Sequence, residues 1–192
     1  FPNVLGCLDG TQIRIRKPKL NEADYVNRKG YHSLNVQMCC DHTFKITSCI
    51  ANWPGSVHDS RVFRQSALCA KFENGQHDGL LLGDSGYPCR RFLMTPILNP
   101  TTNAEQNFNQ SLCRTRVLIE QTFGVLKRRL HHEMATEPPQ AAIYITACVA
   151  LHNIGIQRGD VMPNGDGYLN LVNDDGVRFQ GRNDGMFMRN HI

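Results

Sequence analysis

Alternating apolar and polar residues mark three early segments of the chain as β-strands. Residues 4–16 begin apolar and end with two isoleucines on one side and two arginines on the other. A period of two residues is typical of a strand with one buried face. Residues 33–40 and 45–53 have the composition of two further strands, and the polar residues Asp41, His42 and Thr43 lie between them. We therefore expect a hairpin at this point of the chain.

Apolar residues at helical spacing predict three helices, and a leucine-rich run predicts one more strand. Residues 58–72 place apolar side chains about one turn apart, and residues 104–131 do so more regularly. The stripe of this second helix consists of Leu112, Arg116, Ile119, Phe123, Leu126 and Leu130, in which the arginine is the one polar member. Residues 141–157 are apolar on nearly every face, which predicts a central, buried helix. Residues 80–84, three leucines followed by Gly83 and Asp84, predict the fourth strand.

The order of these elements predicts an α/β fold with a mixed sheet flanked by helices. Three consecutive strands favour an antiparallel meander, and a strand that follows a helix favours a parallel crossover. The length of 192 residues fits one domain, which we assign to residues 1–158. In residues 159–192 glycine, asparagine and aspartate dominate and apolar periodicity disappears. This segment is predicted to be a flexible tail.

The distribution of charge and the spacing of the cysteines indicate which classes of protein fit this chain. The formal net charge of +4 is mild, but basic residues concentrate between Arg14 and Lys29 and again between Arg114 and Arg129. Each cluster either contacts the phosphate backbone of a nucleic acid or is an ordinary solvent-exposed surface. None of the eight cysteines belongs to a CxxC pair, which favours a reducing compartment over a disulfide framework or a zinc site. The longest apolar run, residues 141–156, is short for a membrane span and favours a buried helix.

Three acidic residues are candidates for binding a divalent metal ion. Asp9 interrupts the first strand, Asp84 closes the fourth, and turn-forming residues follow both. If the two strands are neighbours, their carboxylates project at one edge of the sheet, where a cation relieves their repulsion. Glu120 lies one position past the apolar stripe of its helix. Oxygen ligands suit Mg²⁺ or Mn²⁺. Alternatively, the aspartates are turn and cap residues, and Glu120 forms an ordinary surface pair with Arg116.

Seven blocks of residues carry a resemblance to a known family. In chain order they are GCLDGTQIRI, YVNRKGYHSLN, NWPGSVHDSRVF, LLGDSGYP, LMTP, RVLIEQTFGVLKRR and ACVALHN. They resemble the PIF/Harbinger-type transposases and the nucleases derived from them. The resemblance implies a ribonuclease-H-like fold with a DDE core, in which Asp9, Asp84 and Glu120 are the catalytic residues and the metal ligands. It also implies two metal ions, Mg²⁺ or Mn²⁺, that activate the attacking oxygen and stabilise the leaving oxygen.

Further residues are candidates for supporting this site or for contacting DNA. His58 and Asp59 belong to the third block. We expect Asp59 to support the metal ligands and His58 to contact the scissile phosphate. Alternatively, Ser56 and Asp59 cap the helix that follows, and His58 packs locally. The candidates for contacts with the DNA backbone are Arg28, Lys29, Arg116, Lys127 and Arg128. Contacts of this kind bind DNA without reading its sequence.

These patterns predict the divalent-metal-dependent DNA endonuclease core of a Harbinger-type transposase or of its domesticated derivative, which hydrolyses phosphodiester bonds. The alternative is a catalytically silent domesticated core that binds DNA or protein, and a third hypothesis is a ribonuclease. The resemblance also implies a separate Myb-like protein that supplies DNA binding and nuclear import. We therefore expect the protein in the nucleus, or in the cytoplasm when that partner is absent.

Overall fold

The computed structural model describes residues 1–130 and 133–159, which contain five strands and five helices. The strands are β1 (Val4–Arg14), β2 (Ser33–Cys40), β3 (Ile46–Pro54), β4 (Leu80–Leu82) and β5 (Leu93–Met94). The helices are α1 (Glu22–Tyr25), α2 (Asp59–Arg64), α3 (Ala67–Glu73), α4 (Asn103–Leu130) and α5 (Pro138–Gln157). The tail predicted for residues 159–192 lies, except for Gly159, outside the described residues.

The five strands form one mixed sheet in the order β3-β2-β1-β4-β5. The first three strands pair antiparallel as a meander, while β4 pairs parallel to β1 and β5 pairs parallel to β4. Helices α2 and α3 form the crossover that leads from the edge strand β3 to β4 on the far side of β1. The predicted α/β class and the mixed ribonuclease-H-like sheet are therefore confirmed.

Alternation along β2 divides the interior into two layers. Leu34, Val36 and Met38 belong to a core that also contains residues of the two long helices, namely Ile119, Phe123 and Leu126 of α4 and Ile145 and Val149 of α5. A second core collects Leu8, Cys39 and Leu81 of the sheet with Phe63, Cys69 and Phe72 of α2 and α3. Since successive side chains of a strand point to opposite faces, the sheet is covered on both sides.

The helix predicted for residues 58–72 is wrong in one respect, because the structure has two helices there. Ser66 breaks the segment, and its Oγ accepts a hydrogen bond of 2.9 Å from the backbone N–H of Cys69, so it caps α3. Helix α2 begins after His58, which makes no capping hydrogen bond with its side chain. Neither Ser56 nor Asp59 has the predicted capping position. The side chain of Asp59 is therefore available for other contacts.

Helix α5 is not the central, buried helix that its composition predicts. It buries Ala141, Ile145 and Val149 against the sheet and α4, but its opposite face is open. The exposed apolar side chains on that face are Ile143, Tyr144, Leu151 and Ile154. Because apolar residues surround the whole helix, the sequence could not indicate which side is covered. In the part of the chain that the structure describes, no helix is long and apolar enough to cross a membrane.

Candidate active site

The register between β1 and β4 brings Asp9 and Asp84 together. Cys7 of β1 is the partner of Leu82 of β4, and the two strands are parallel. Two residues further along each strand, the chain reaches the two aspartates on the same side of the sheet. At this separation the charge of Asp84 raises the pKa of Asp9. The structure thus places Asp9, within β1, beside Asp84, two residues past the end of β4, as predicted for neighbouring strands.

Two hydrogen bonds fix the carboxylate of Asp9. Its Oδ1 accepts a bond of 2.7 Å from the backbone N–H of Gly10, and its Oδ2 accepts one of 2.6 Å from Nη2 of Arg116. Only 5% of the Arg116 side chain is exposed. Arg116 was predicted to contact the DNA backbone, but the structure places it under the site instead. Its long side chain comes from the core-facing stripe of α4, so its guanidinium reaches the carboxylate rather than the surface.

The pKa of Asp9 is raised to about 7 in the folded protein. Burial is the main cause, and the charges of Asp84 and Asp59 add to it, while Arg116 and the N–H of Gly10 oppose it. A single guanidinium therefore does not compensate for the crowding of three carboxylates in a partly desolvated place. Such crowding is the electrostatic condition that a bound cation relieves.

Asp9→Asn is expected to flatten the pH dependence of stability in metal-free protein. The pKa of Asp9 rises on folding from 3.8 to about 7, so between these values the folded state binds more protons than the unfolded state. The free energy of unfolding of the wild type therefore falls as pH rises through this window, by roughly 4 kcal/mol. Denaturant titration in EDTA at acidic and neutral pH measures this. Identical pH profiles for the variant and the wild type would contradict it.

Asp59 is the third carboxylate of the cluster, and polar residues of β2 position it. Asn35 Nδ2 donates a hydrogen bond of 2.6 Å to Asp59 Oδ1, and Gln37 Nε2 donates one of 3.1 Å to the backbone carbonyl of Asp59. Asn35 is 1% exposed and Gln37 is 2% exposed. Burial raises the pKa of the Asp59 carboxyl, the bond from Asn35 opposes this, and Asp84 adds to the rise. The predicted supporting residue therefore lies beside the metal candidates.

Gly10 provides the space that Asp59 occupies. A Cβ atom built on this glycine would lie 2.3 Å from Asp59 Oδ1 and 2.5 Å from its Cγ, which is far inside normal contact. The roles of Gly10, Asn35 and Gln37 were not predicted from the sequence. The signal that was present is the alternation of Ser33, Asn35 and Gln37 along a strand, which by itself indicates a solvated face rather than a buried polar one.

Glu120 lies on α4 one turn beyond Arg116, and its side chain is exposed along the helix. Partial desolvation of its carboxyl raises its pKa, and the charge of Arg116 opposes the rise. The alternative of a surface pair between these two residues is not realised, because Arg116 forms its salt bridge with Asp9. Glu120 also raises the pKa of Cys7, which is buried below Asp9 on β1. The glutamate therefore lies near Arg116 and Cys7, but among the described residues it does not converge with the two aspartates on one point.

Comparison with known proteins identifies the family. The model of the DDE superfamily endonucleases matches residues 8–153, which is more than half of the chain. The chain belongs to this family. It is 39% identical to "Putative nuclease HARBI1" of Homo sapiens over 166 residues, covering 83% of the chain and 48% of that protein. No solved structure matches the chain.

Two other relatives extend the comparison of this DDE endonuclease domain. The protein of the same name from Xenopus laevis is 35% identical over 163 residues, covering 81% of the chain and 47% of that protein. The Arabidopsis thaliana protein named Antagonist of like heterochromatin protein 1 is 25% identical over 182 residues, covering 84% of the chain and 46% of that protein. The chain spans about half the length of these curated relatives.

The donor chemistry of this DDE domain fits a divalent metal. Asp9, Asp84 and Asp59 supply carboxylate oxygens, the ligands that Mg²⁺ and Mn²⁺ prefer, and the charge of Asp84 raises the pKa of both other aspartates. Within residues 1–130 and 133–159, no three His, Cys, Asp or Glu side chains converge closely enough to hold one ion. Asp9, Asp84 and Asp59 therefore lie near one another without converging on one point. The guanidinium of Arg116 donates a hydrogen bond to Oδ2 of Asp9.

The remaining candidates for DNA contacts lie in two places. Arg28 contacts the ring of His58, and the charges of both lower the pKa of Asp59, so this pair stands at the border of the carboxylate cluster. Lys29 is exposed in the same turn. Lys127 and Arg128 lie in the last turns of α4, about 10 Å along the helix from Glu120 at 1.5 Å per residue. The structure therefore places only the first group beside the carboxylates.

Proposed function

We propose that this protein is the core of a divalent-metal-dependent DNA endonuclease that hydrolyses phosphodiester bonds. The observation that carries the proposal is the placement of Asp9, within β1, and Asp84, just past the end of the parallel neighbour β4, side by side, with one guanidinium, that of Arg116, beside them. Rigid strands hold such carboxylates in place without reorganisation. Membership of the DDE superfamily endonucleases supports a nuclease.

In this proposal Asp9, Asp84 and Glu120 hold two divalent ions. Bound Mg²⁺ or Mn²⁺ supplies the Lewis acid that lowers the pKa of the attacking water and stabilises charge on the leaving oxygen. Arg116 orients Asp9 through the bond to Oδ2, and the N–H of Gly10 orients it through Oδ1. No side chain acts as a nucleophile, so the carboxylates and the residues that orient them form the catalytic apparatus.

Asp59 is assigned a positioning role in the same site. Asn35 binds its Oδ1, which leaves Oδ2 to accept a hydrogen bond from a water molecule between the carboxylates. His58 and Arg28 form a contact next to it, and we assign them to the phosphate of the scissile strand. Both side chains are exposed, as a contact with a polyanion requires.

Calorimetric titration with Mn²⁺ tests the metal ligands. We expect the wild type to bind Mn²⁺, and Glu120→Gln to bind it at least about tenfold more weakly, because a neutral amide is a poor ligand for a hard cation. Glu105→Gln is the matched control, since this glutamate of the same helix binds Thr101 and Thr102 far from the aspartates. Equal affinities of wild type and Glu120→Gln would contradict the assignment of Glu120.

A second candidate function is a catalytically silent core that binds DNA or protein. One observation favours it: the guanidinium of Arg116 already neutralises part of the charge of Asp9, the first of the metal candidates. The same titration separates the two candidates. Wild-type protein that binds neither Mn²⁺ nor Mg²⁺, and that nicks no DNA in either metal, would favour the silent core and overturn the nuclease.

The substrate and setting of the reaction follow from the same proposal. We propose duplex DNA as substrate, with Lys29, Lys127 and Arg128 as further contacts to its backbone. We propose the nucleus as the site of action and a Myb-like protein as the partner that supplies sequence-specific DNA binding. The exposed apolar face of α5 supports a protein partner, because such faces are covered in most assemblies.

A further inference from the structure

A cavity of about 430 Å³ lies next to the carboxylates, on the side of the sheet that α2 covers. Its lining includes Ser60 and Arg64 of α2 and Ser85, Gly86 and Arg90 of the segment after β4. Ser60 follows Asp59 in the chain, and Ser85 follows Asp84. The cavity is therefore lined by the direct chain neighbours of two of the three clustered aspartates.

Two guanidinium groups line this cavity, and that of Arg64 gives it a charge opposite to that of the carboxylates. Arg90 is tied to Glu73 of α3 by a salt bridge, and its guanidinium lies 6.0 Å from the centre of the Phe92 ring. Arg64 ends α2 and is exposed, and within the described part of the chain it forms no salt bridge. An unpaired arginine beside a cavity, close to an acidic site, is placed to accept an anionic group from a ligand.

The wall of the cavity is rigid. Tyr87 is 3% exposed, its ring meets Phe63 edge-on at 5.9 Å between centroids, and its hydroxyl accepts a hydrogen bond of 3.0 Å from Gln37 Nε2. The same Gln37 binds the backbone of Asp59, so the wall and the carboxylate cluster share one support. The hydroxyls of Ser60 and Ser85 add neutral donors. A cavity of this volume suits a group of the size of a nucleotide.

We propose that this cavity binds the sugar and phosphate of the nucleotide next to the scissile phosphodiester, with Arg64 as the cation that contacts the phosphate. The proposal rests on the nuclease function. It adds to that function a binding site for the cleaved strand where the strand leaves the metal site. The carboxylates repel a polyanion, so a guanidinium at their border offsets that repulsion for the flanking phosphate. A contact of this kind fixes the strand without reading its bases.

Binding of a fluorescein-labelled DNA duplex in EDTA, followed by anisotropy at several salt concentrations, tests this. Arg64→Gln is expected to raise Kd about three- to tenfold, equally for duplexes of different sequence, and to lower the salt slope by about one. Arg61→Gln is the matched control. It makes the same change of charge on the same helix, but Arg61 lies over the ring of Trp53, 5.9 Å from its centroid, and does not line the cavity.

The proposal is overturned if Arg64→Gln and Arg61→Gln weaken binding equally, or if neither does. Thermal unfolding of both variants confirms that the exposed substitutions leave the fold intact. Cleavage assays of Asp84→Asn test the nuclease function separately. Loss of cleavage in Asp84→Asn together with unchanged binding in Arg64→Gln would leave the nuclease standing and remove the cavity from it. Absence of metal-dependent cleavage in the wild type, together with weakened binding in Arg64→Gln, would remove the nuclease and keep a phosphate-binding cavity.

Discussion

Asp84→Asn is expected to abolish Mg²⁺- or Mn²⁺-dependent DNA cleavage, by about a thousandfold or more, while the fold survives. The carboxylate follows the buried strand β4, and its Oδ1 accepts one hydrogen bond, of 3.0 Å, from the backbone N–H of Gly86. An asparagine carbonyl accepts the same bond. The substitution therefore removes a charge that a metal requires, but little that the turn requires.

Nicking of supercoiled plasmid measures this effect, and thermal unfolding measures the fold. Asp78→Asn is the matched control, because Asp78 is an exposed aspartate at the other end of β4. We expect the control to cleave DNA like the wild type. Wild-type rates in Asp84→Asn would remove this residue from the catalytic apparatus, and a large drop in melting temperature would mean that its role is structural.

Gly10→Ala is expected to disturb both stability and cleavage, because the new methyl group would overlap the carboxylate of Asp59. The overlap is severe, at 2.3 Å from Oδ1, and the bond from Asn35 prevents that oxygen from moving aside freely. Overpacking of this kind costs about 1–3 kcal/mol of unfolding free energy. Since Gly10 also donates its N–H to Asp9, we expect a loss of cleavage of about tenfold or more.

A double substitution identifies the cause. Asp59→Ala removes the carboxylate that the methyl group of Gly10→Ala would overlap. The unfolding free energy of the double variant should therefore equal that of Asp59→Ala alone. Cleavage should not return, because Asp59 is then missing from the site. Denaturant titration of the four proteins gives the coupling free energy. Simple additivity of the two single effects would show that the alanine at position 10 acts by another route.

The sequence predicted the sheet and the long helix because their patterns are local. The regular stripe of α4 predicted residues 104–131, and the structure has Asn103–Leu130. The alternation that begins with Val4 predicted β1, and its parallel neighbour was expected to end in Asp84. The sequence analysis placed Asp9 and Asp84 at one edge on the condition that the two strands are neighbours, and the register that pairs Cys7 with Leu82 meets this condition.

Other parts of the site depend on contacts between distant residues. Arg116 is 107 positions from Asp9, and its place in an apolar stripe gave no sign that its partner would be a carboxylate of β1 rather than Glu120. The polar side chains of β2 have the alternation of a solvated strand, yet they are buried because the loop before α2 and Asp59 lie on them. The period of apolar residues can be read from a short stretch of sequence, whereas hydrogen-bond partners that are distant in the chain cannot.

The amino-acid sequence by itself determined four of the five strands, the long helices and the order in which Asp9, Asp84 and Glu120 occur, because the period of apolar residues sets which side chains share a face. Tertiary packing decided which faces are covered. It buried Asn35 and Gln37, left one apolar side of α5 open, and turned Arg116 towards Asp9. The reason is that burial depends on what packs against a face, and that partner is distant in the chain.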